Sequence, residues 1–225
     1  MLETLADGVR VVPAPLSFLG LRVGTRMTVL RLSDGSVLLH SPVRVDDETQ
    51  QEIDRIGPVA FIVAPNTYHH LYVADALARW PNARVVAPAA LRKKRKDLRI
   101  DLHLDDPPPD AWKDDLLPLP VEGSMLRETV LVHRPTRTLV SADLVENFQE
   151  MDHAPTRAYL KLGGIYGKPG WHRALRFMYR DRAKAKRSIE RILDEPIDRV
   201  ILAHGAPILD RPKEAVREGL SFLLG

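Results

Sequence analysis

The stretch Val59-Ala60-Phe61-Ile62-Val63-Ala64 limits the fold of this chain more than any other. It is too short for a core helix and too continuous for a strand with one wet face, so it reads as a strand covered on both sides. It ends at Pro65-Asn66. From Leu71 to Trp80 the apolar residues take helical spacing, Pro81-Asn82 breaks the pattern, and Ala83–Ala87 supplies a second buried strand. Strand, loop, helix, strand is a βαβ unit, and the loop leaving its first strand is where α/β proteins place ligands. That loop carries His69-His70.

Upstream, Val9–Pro13, Arg26–Leu32 and Val37–His40 read as strands, the last two joined as a hairpin through Ser33-Asp34-Gly35-Ser36. Asp46-Asp47-Glu48 opens a helix with an acidic first turn that suits the helix dipole, and Gly57-Pro58 stops it. Downstream, Asp101–Pro120 is rich in Asp and Pro and reads as irregular surface. Thr129–His133 and Thr138–Val140 form another hairpin, whose second strand runs into Ser141-Ala142-Asp143. Met151–Gly170 reads as a flexible flap of the kind that borders sites. Trp171–Leu193 is expected as one long amphipathic helix, Arg199–Ala203 as a last buried strand ending in His204-Gly205, and Lys213–Leu224 as a closing helix. No repeat at solenoid spacing is visible, and residues 1–225 are expected to form one domain.

At 225 residues and 44% hydrophobic content the chain can bury a substantial core. It has no cysteine, which excludes disulfides, thiolate ligands and a Cys nucleophile, so any metal must use His, Asp or Glu. The first residues are acidic and lack an apolar run, so no signal peptide is expected, and no stretch reaches the roughly 18 apolar residues of a membrane span. A cytoplasmic protein is the expectation. The net charge of +3 is concentrated in Arg92-Lys93-Lys94-Arg95-Lys96 and between Arg173 and Arg191. No aromatic residue interleaves the first run, so it reads as a solvated face, and nucleic acid is not an expected partner. The expected partner is a small-molecule substrate, with neither membrane nor oligomeric state indicated.

Three strand-end motifs follow in order: a His-bearing loop after a buried strand, an Asp closing a hairpin, and a late His-Gly after the final strand. In that order they resemble the metallo-β-lactamase superfamily, and the match spans nearly the whole chain. The resemblance implies an α/β fold, a four-layer αββα sandwich whose loops meet at one edge around one or two metal ions. The family's His-x-His-x-Asp-His loop is occupied here by Pro65-Asn66-Thr67-Tyr68-His69-His70. Pro65 and Thr67 stand where two first-site histidines would be, and Ser124 of Gly123-Ser124 where the third would be. The second-site positions hold His69, His70, Asp143 and His204. The loss is confined to one ion position. His40-Ser41-Pro42 replaces the family's Asp-x-Gly, so the chain looks like a divergent subgroup of that fold, with His40 and Ser41 near the metal.

The resemblance therefore implies one divalent ion on His69, His70, Asp143 and His204, with zinc expected and iron or manganese also compatible with such ligands. Asp143 or His40 is the candidate base of a hydrolase acting on a small ester, lactone, thioester or phosphate. The alternative is a non-catalytic or degenerate domain that binds a metal or ligand in the same cleft. Residue by residue, plainer roles stay open: a solvent-exposed His pair at a helix start, an Asp143 that caps a turn, a His204 bonded to a nearby carbonyl. His133 reads as a sheet residue, and His153, Tyr166 and His172 as flap residues.

Overall fold

The computed structural model describes all 225 residues. The first half opens with the hairpin β1 (Glu3–Ala6) and β2 (Val9–Ala14), followed by a small ribbon, β3 (Ser17–Phe18) and β4 (Leu21–Arg22). β5 (Thr25–Arg31) pairs antiparallel with β2 on one side and with β6 (Val37–His40) on the other. The expected hairpin between these last two turns at Gly35, whose φ of 84° is a left-handed conformation that costs glycine little. α1 (Asp47–Asp54) starts on Asp46, whose carboxylate accepts from the Thr49 N–H at 2.8 Å. β7 (Val59–Val63), α2 (Val73–Arg79) and β8 (Arg84–Ala87) form the expected βαβ unit, with β6, β7 and β8 parallel. After α3 (Leu91–Lys94), β9 (Leu102–His103) closes a seven-stranded sheet in the order β1-β2-β5-β6-β7-β8-β9.

The second half is a four-stranded sheet. β10 (Leu116–Pro120), β11 (Thr129–His133) and β12 (Thr138–Val140) are antiparallel neighbours, and β13 (Arg199–Ile201) lies parallel to β12. α4 (Ala154–Gly163) and α5 (Arg182–Asp194) lie between β12 and β13 in sequence, and α6 (Pro212–Gly219) and α7 (Ser221–Leu224) end the chain.

Strand alternation sorts the apolar side chains into layers. In β5, Met27 and Val29 pack with Ile53 of α1 and Val73 of α2, whereas Leu30 turns to the other face. There it meets Leu38, Phe61 and Val63 of the first sheet and Leu131, Val140 and Ile201 of the second. The opposite face of the second sheet, with Val130, Leu139 and Val200, packs on Ile189 and Ile192 of α5 and Val216 of α6. The order is helix, sheet, sheet, helix, the expected αββα sandwich. Each fully buried Leu, Ile or Val contributes about 1.5–3 kcal/mol relative to exposure. The inter-sheet layer therefore fixes the strand ends on which the site stands.

Several expectations need correction. Met151–Gly170 is not an irregular flap: it contains α4, which starts with Pro155 in its first turn and stops at Gly164, φ 73°. Thr156 and Leu160 on this helix are buried. Trp171–Leu193 is not one helix. A 3-10 segment, Arg173–Met178, precedes α5, and Asp181 caps α5 by accepting from Lys184 N–H at 3.0 Å. The closing helix divides after Gly219. Asp101–Pro120 holds two strands, β9 and β10; Pro118 and Pro120 fit β10 because it is the edge of its sheet. No helix is long and apolar enough to cross a membrane.

Candidate metal centre

The residues after β6, β7, β12 and β13 meet at one edge of the sandwich. Ser41 follows β6, the 65–70 loop follows β7, Asp143 lies three residues beyond β12, and His204 three beyond β13. His69 Nε2 lies 3.2 Å and His204 Nε2 3.5 Å from the same oxygen, Oδ1 of Asp143. The ligand atoms of these three residues all lie within 4.8 Å of one another, so the group could hold a metal ion. The two imidazoles meet edge to face, with centroids 5.1 Å apart.

Each ligand is fixed from behind. The carbonyl of Gly24 lies 2.8 Å from His204 Nδ1. A carbonyl only accepts, so Nδ1 carries the proton and Nε2 presents a bare lone pair toward Asp143. Two acceptors facing each other across 3.5 Å require a cation or a proton between them. This donor set fits a divalent ion with nitrogen and oxygen ligands. His69 Nδ1 is engaged by Ser41 Oγ at 2.7 Å.

Asn66 joins the two halves of the site. It is fully buried. Its carbonyl oxygen accepts from the N–H groups of Tyr68 (2.8 Å) and His69 (2.9 Å), which bends the loop and presents His69. Its amide donates to Asp143 Oδ2 at 2.8 Å, leaving Oδ1 to the imidazoles. Behind it, the buried carboxylate of Glu128 accepts from Ala142 N–H at 2.7 Å and from Asp143 N–H at 3.0 Å, which holds the turn after β12. Sequence reasoning missed both. A Pro-Asn pair directly after a buried strand was the available signal for the first, since Asn bonds its own backbone in such turns. Glu128 stands directly before the apolar strand β11 between Arg127 and Thr129, a context that gives no signal for the second.

The electrostatics follow from enclosure. Burial raises the Asp143 pKa, but His69, His204 and the Asn66 amide together outweigh it and hold the carboxyl well below its usual range. For His69 burial acts downward, yet Asp143 and then Glu128 leave its pKa raised. His204 goes down, chiefly by burial. Glu128 is pushed up by burial and by Asp143.

Of the expected ligands, the structure brings together His69, Asp143 and His204. His70 stands outside the group: its Nδ1 accepts from Arg95 at 3.0 Å, and burial followed by Lys94 and Arg95 lowers its pKa to about 4. Both residues lie in the turn after β7, where Asn66 holds the His69 N–H and the His69 ring faces Asp143, while the His70 ring turns to Arg95. His40, the other expected base, is 1% exposed on β6, and its Nε2 has no partner. Burial, then His69, lowers its pKa to about 3. A neutral ring sealed from solvent does not suit a base in contact with substrate. Ser41 reaches the site through His69. His133 bonds Thr136 Oγ1 at 2.7 Å, at the far end of the second sheet.

The sequence matches the family model described as a domain of unknown function (DUF4336) over residues 14–91. No curated protein matches it. Among solved structures, a metallo-beta-lactamase from Pontibacter korlensis is 14% identical at TM-score 0.69, covering 99% of this chain and 98% of its own. One from Hirschia baltica is 11% identical at 0.67, covering 100% and 97%, and one from Erythrobacter litoralis 12% identical at 0.65, covering 99% and 91%. The chain has the metallo-β-lactamase fold. At these identities the likeness speaks for architecture alone, and within that fold the three positions the sequence comparison found without histidine have other work. Ser124 is buried, and its hydroxyl accepts from Leu126 N–H at 3.2 Å. Thr67 donates from its hydroxyl to Leu126 O at 3.2 Å, and Thr129 N–H bonds the Pro65 carbonyl at 3.0 Å. These residues tie the loop to the start of β11.

Proposed function

We propose that this protein is a hydrolase with one divalent metal ion, zinc being the best fit, acting on a small ester, lactone, thioester or phosphate. The observation that carries the reading is the bare Nε2 of His204 set against Asp143 Oδ1, with His69 completing a three-ligand group. Two imidazoles and one carboxylate, each fixed from behind, match catalytic zinc sites, which keep one position open. A divalent ion held there supplies a Lewis acid that lowers the pKa of a water and polarises a carbonyl or phosphoryl oxygen.

The chain's own residues orient the ligands and limit where protons go. Asp143, held ionised at a strongly depressed pKa, is a poor proton acceptor, so its part is that of a ligand and not of the base. Gly24 fixes the His204 tautomer, and Asn66 and Glu128 fix the direction of the carboxylate. A second reading, a metal-binding domain without catalysis, is favoured by enclosure, since the side chains of His69, Asp143 and His204 are only 8%, 11% and 11% exposed.

The test is metal analysis of protein purified without chelator, for the wild type and for His69→Ala and His204→Ala. One equivalent in the wild type, lost in both variants, is expected, with hydrolysis of generic esters following the metal. Stoichiometric metal without hydrolysis would select the second reading. Absence of metal after zinc addition would refute both.

A further inference from the structure

A cavity of about 420 Å³, a volume typical of small-molecule sites, opens beside the metal-ligand group. One wall is the backbone on either side of His204, at Ala203 and Gly205. Another is the segment Arg22–Arg26 leading into β5, which includes the Gly24 whose carbonyl fixes His204. Phe148–Met151, which follows the bridge between Asn147 and Gly205, lines the rest. The cavity and the ligand group thus share a wall.

That wall carries a positive charge that no carboxylate contacts, Glu3 acting on Arg26 only from beyond ion-pair distance. Arg26 Nη1 donates to the carbonyls of Leu202 and Gly205, both at 2.7 Å, and these acceptors are neutral. Its Nε is buried without a partner, and its Nη2 bonds nothing in the protein. Arg26 forms no ion pair with any carboxylate of the chain, and neither does Arg22, which is exposed beside the same cavity. Glu150 lines the cavity too and pairs with neither. A guanidinium drawn partly out of water is ordinarily paired, because its desolvation is otherwise uncompensated. The planar fork of arginine suits a carboxylate or a phosphate. Ala14, Val23 and Phe148 supply apolar lining for a carbon skeleton.

We propose that this cavity is the substrate pocket of the metal site and takes a small molecule bearing an anionic oxygen group, carboxylate or phosphate, seated on the unbonded Nη2 of Arg26 with Arg22 beside it. The inference rests on the hydrolase reading and narrows it to anionic substrates. Anchoring one end of the molecule on a rigid strand would set the orientation of the remainder beside His204.

The experiment follows the arginine Nε–H signals of 15N-labelled protein, with and without zinc, during titration with benzoate, phenyl phosphate and neutral benzyl alcohol. Arg26 is assigned from the signal missing in Arg26→Lys. The Arg26 signal is expected to shift saturably with at least one anion, with a dissociation constant of about 1 mM or tighter, and about tenfold more weakly with the alcohol. Comparison of benzoate with phenyl phosphate tells the two anion classes apart. Arg22→Glu, at an exposed position, is expected to weaken anion binding several-fold while metal content stays unchanged. An Arg26 signal that stays still with both anions, or responds equally to the alcohol, would overturn the proposal. The readout needs neither metal nor turnover. Loss of anion binding with hydrolysis intact therefore removes this pocket alone, whereas anion binding by a protein that takes up no added zinc removes the hydrolase reading and keeps the anion site.

Discussion

Asn66→Ala is the most informative single perturbation of the site, because one side chain orients two of the three ligands. The change removes the bond to Asp143 Oδ2 at 2.8 Å and those from the N–H groups of Tyr68 and His69 at 2.8 and 2.9 Å. A hydrogen bond to an ionised group is worth about 1.5–3 kcal/mol and a neutral one about 0.5–1.5 kcal/mol. Together the loss is about 3–5 kcal/mol, at the upper end because Asn66 is fully buried and Oδ2 is left unpaired. For a chain of this size that lowers Tm by roughly 10 °C. Mutation of groups that orient metal ligands costs about 10–100-fold in metal affinity, and the same is expected here, since Oδ1 and His69 both lose their fixed direction. Calorimetric unfolding and competition with a zinc chelator measure the two effects. Asn66→Asp serves as companion: its carbonyl-like oxygen keeps the loop turn, but ionised it cannot donate to Asp143. It should recover part of the Tm and none of the metal affinity. Zinc affinity of Asn66→Ala within twofold of the wild type would refute the claim that this residue sets the site.

Other consequences are open to measurement. Gly205→Ala is expected to destabilise the fold by about 2–4 kcal/mol, because Gly205 has φ 86° and an added Cβ would collide with the Asn147 carbonyl. Its neighbour His204 would shift with it, so zinc affinity should fall alongside Tm. His70→Ala is expected to leave zinc stoichiometry unchanged, since that ring bonds Arg95 outside the ligand group. Loss of the metal would show that His70 is a ligand after all. Burial, and then Asp143, raises the Glu146 pKa to about 8, against about 4.3 when unfolded. A raised folded pKa means that the native state keeps a proton the unfolded chain has lost. Its contribution is full below the unfolded value and disappears as pH rises through the folded one, at most about 1.4 kcal/mol per pH unit between them. Glu146→Gln should flatten the fall in denaturant stability of the metal-free protein between about pH 5 and 8; an unchanged slope would assign that fall elsewhere.

What was legible in the fold followed from local patterns that tertiary contacts reinforced. The run Val59–Ala64 is apolar throughout because β7 lies inside its sheet, with neighbours β6 and β8 and a packed layer on each face. The Ser33–Ser36 turn was visible because glycine marks a left-handed position. The misses have a common cause. α4 runs out into Gly163-Gly164, which obscures its pattern, and it is held in part by Thr156, which sits buried and accepts from Arg22 N–H at 2.8 Å, from a residue 134 positions away. Non-local support of that kind leaves no periodic trace. In β10, prolines hid a strand that is possible only at a sheet edge, and sheet order is not written in any single segment.

The site was legible to the extent that its ligands terminate strands, and illegible where a single loop had to choose between neighbours. His69 and His70 are the same residue type, adjacent and equally compatible with the loop signature. The choice between them is made by Asn66, which accepts from the His69 N–H, and by Arg95, which takes the His70 ring. Arg95 belongs to the basic run Arg92–Lys96, read from sequence as a solvated face. Within that run, Lys94 reaches the Thr67 carbonyl at 2.8 Å and lies 4.5 Å from the Tyr68 ring centroid. At least two of its cations therefore brace the metal-site loop from outside. The run is thus more than a solvated face, and replacing Arg95 should loosen the loop and free the His70 ring. If that ring then joined the ligand group, Arg95→Ala would bind zinc more tightly than the wild type, whereas weaker binding would show that bracing the loop is the larger effect.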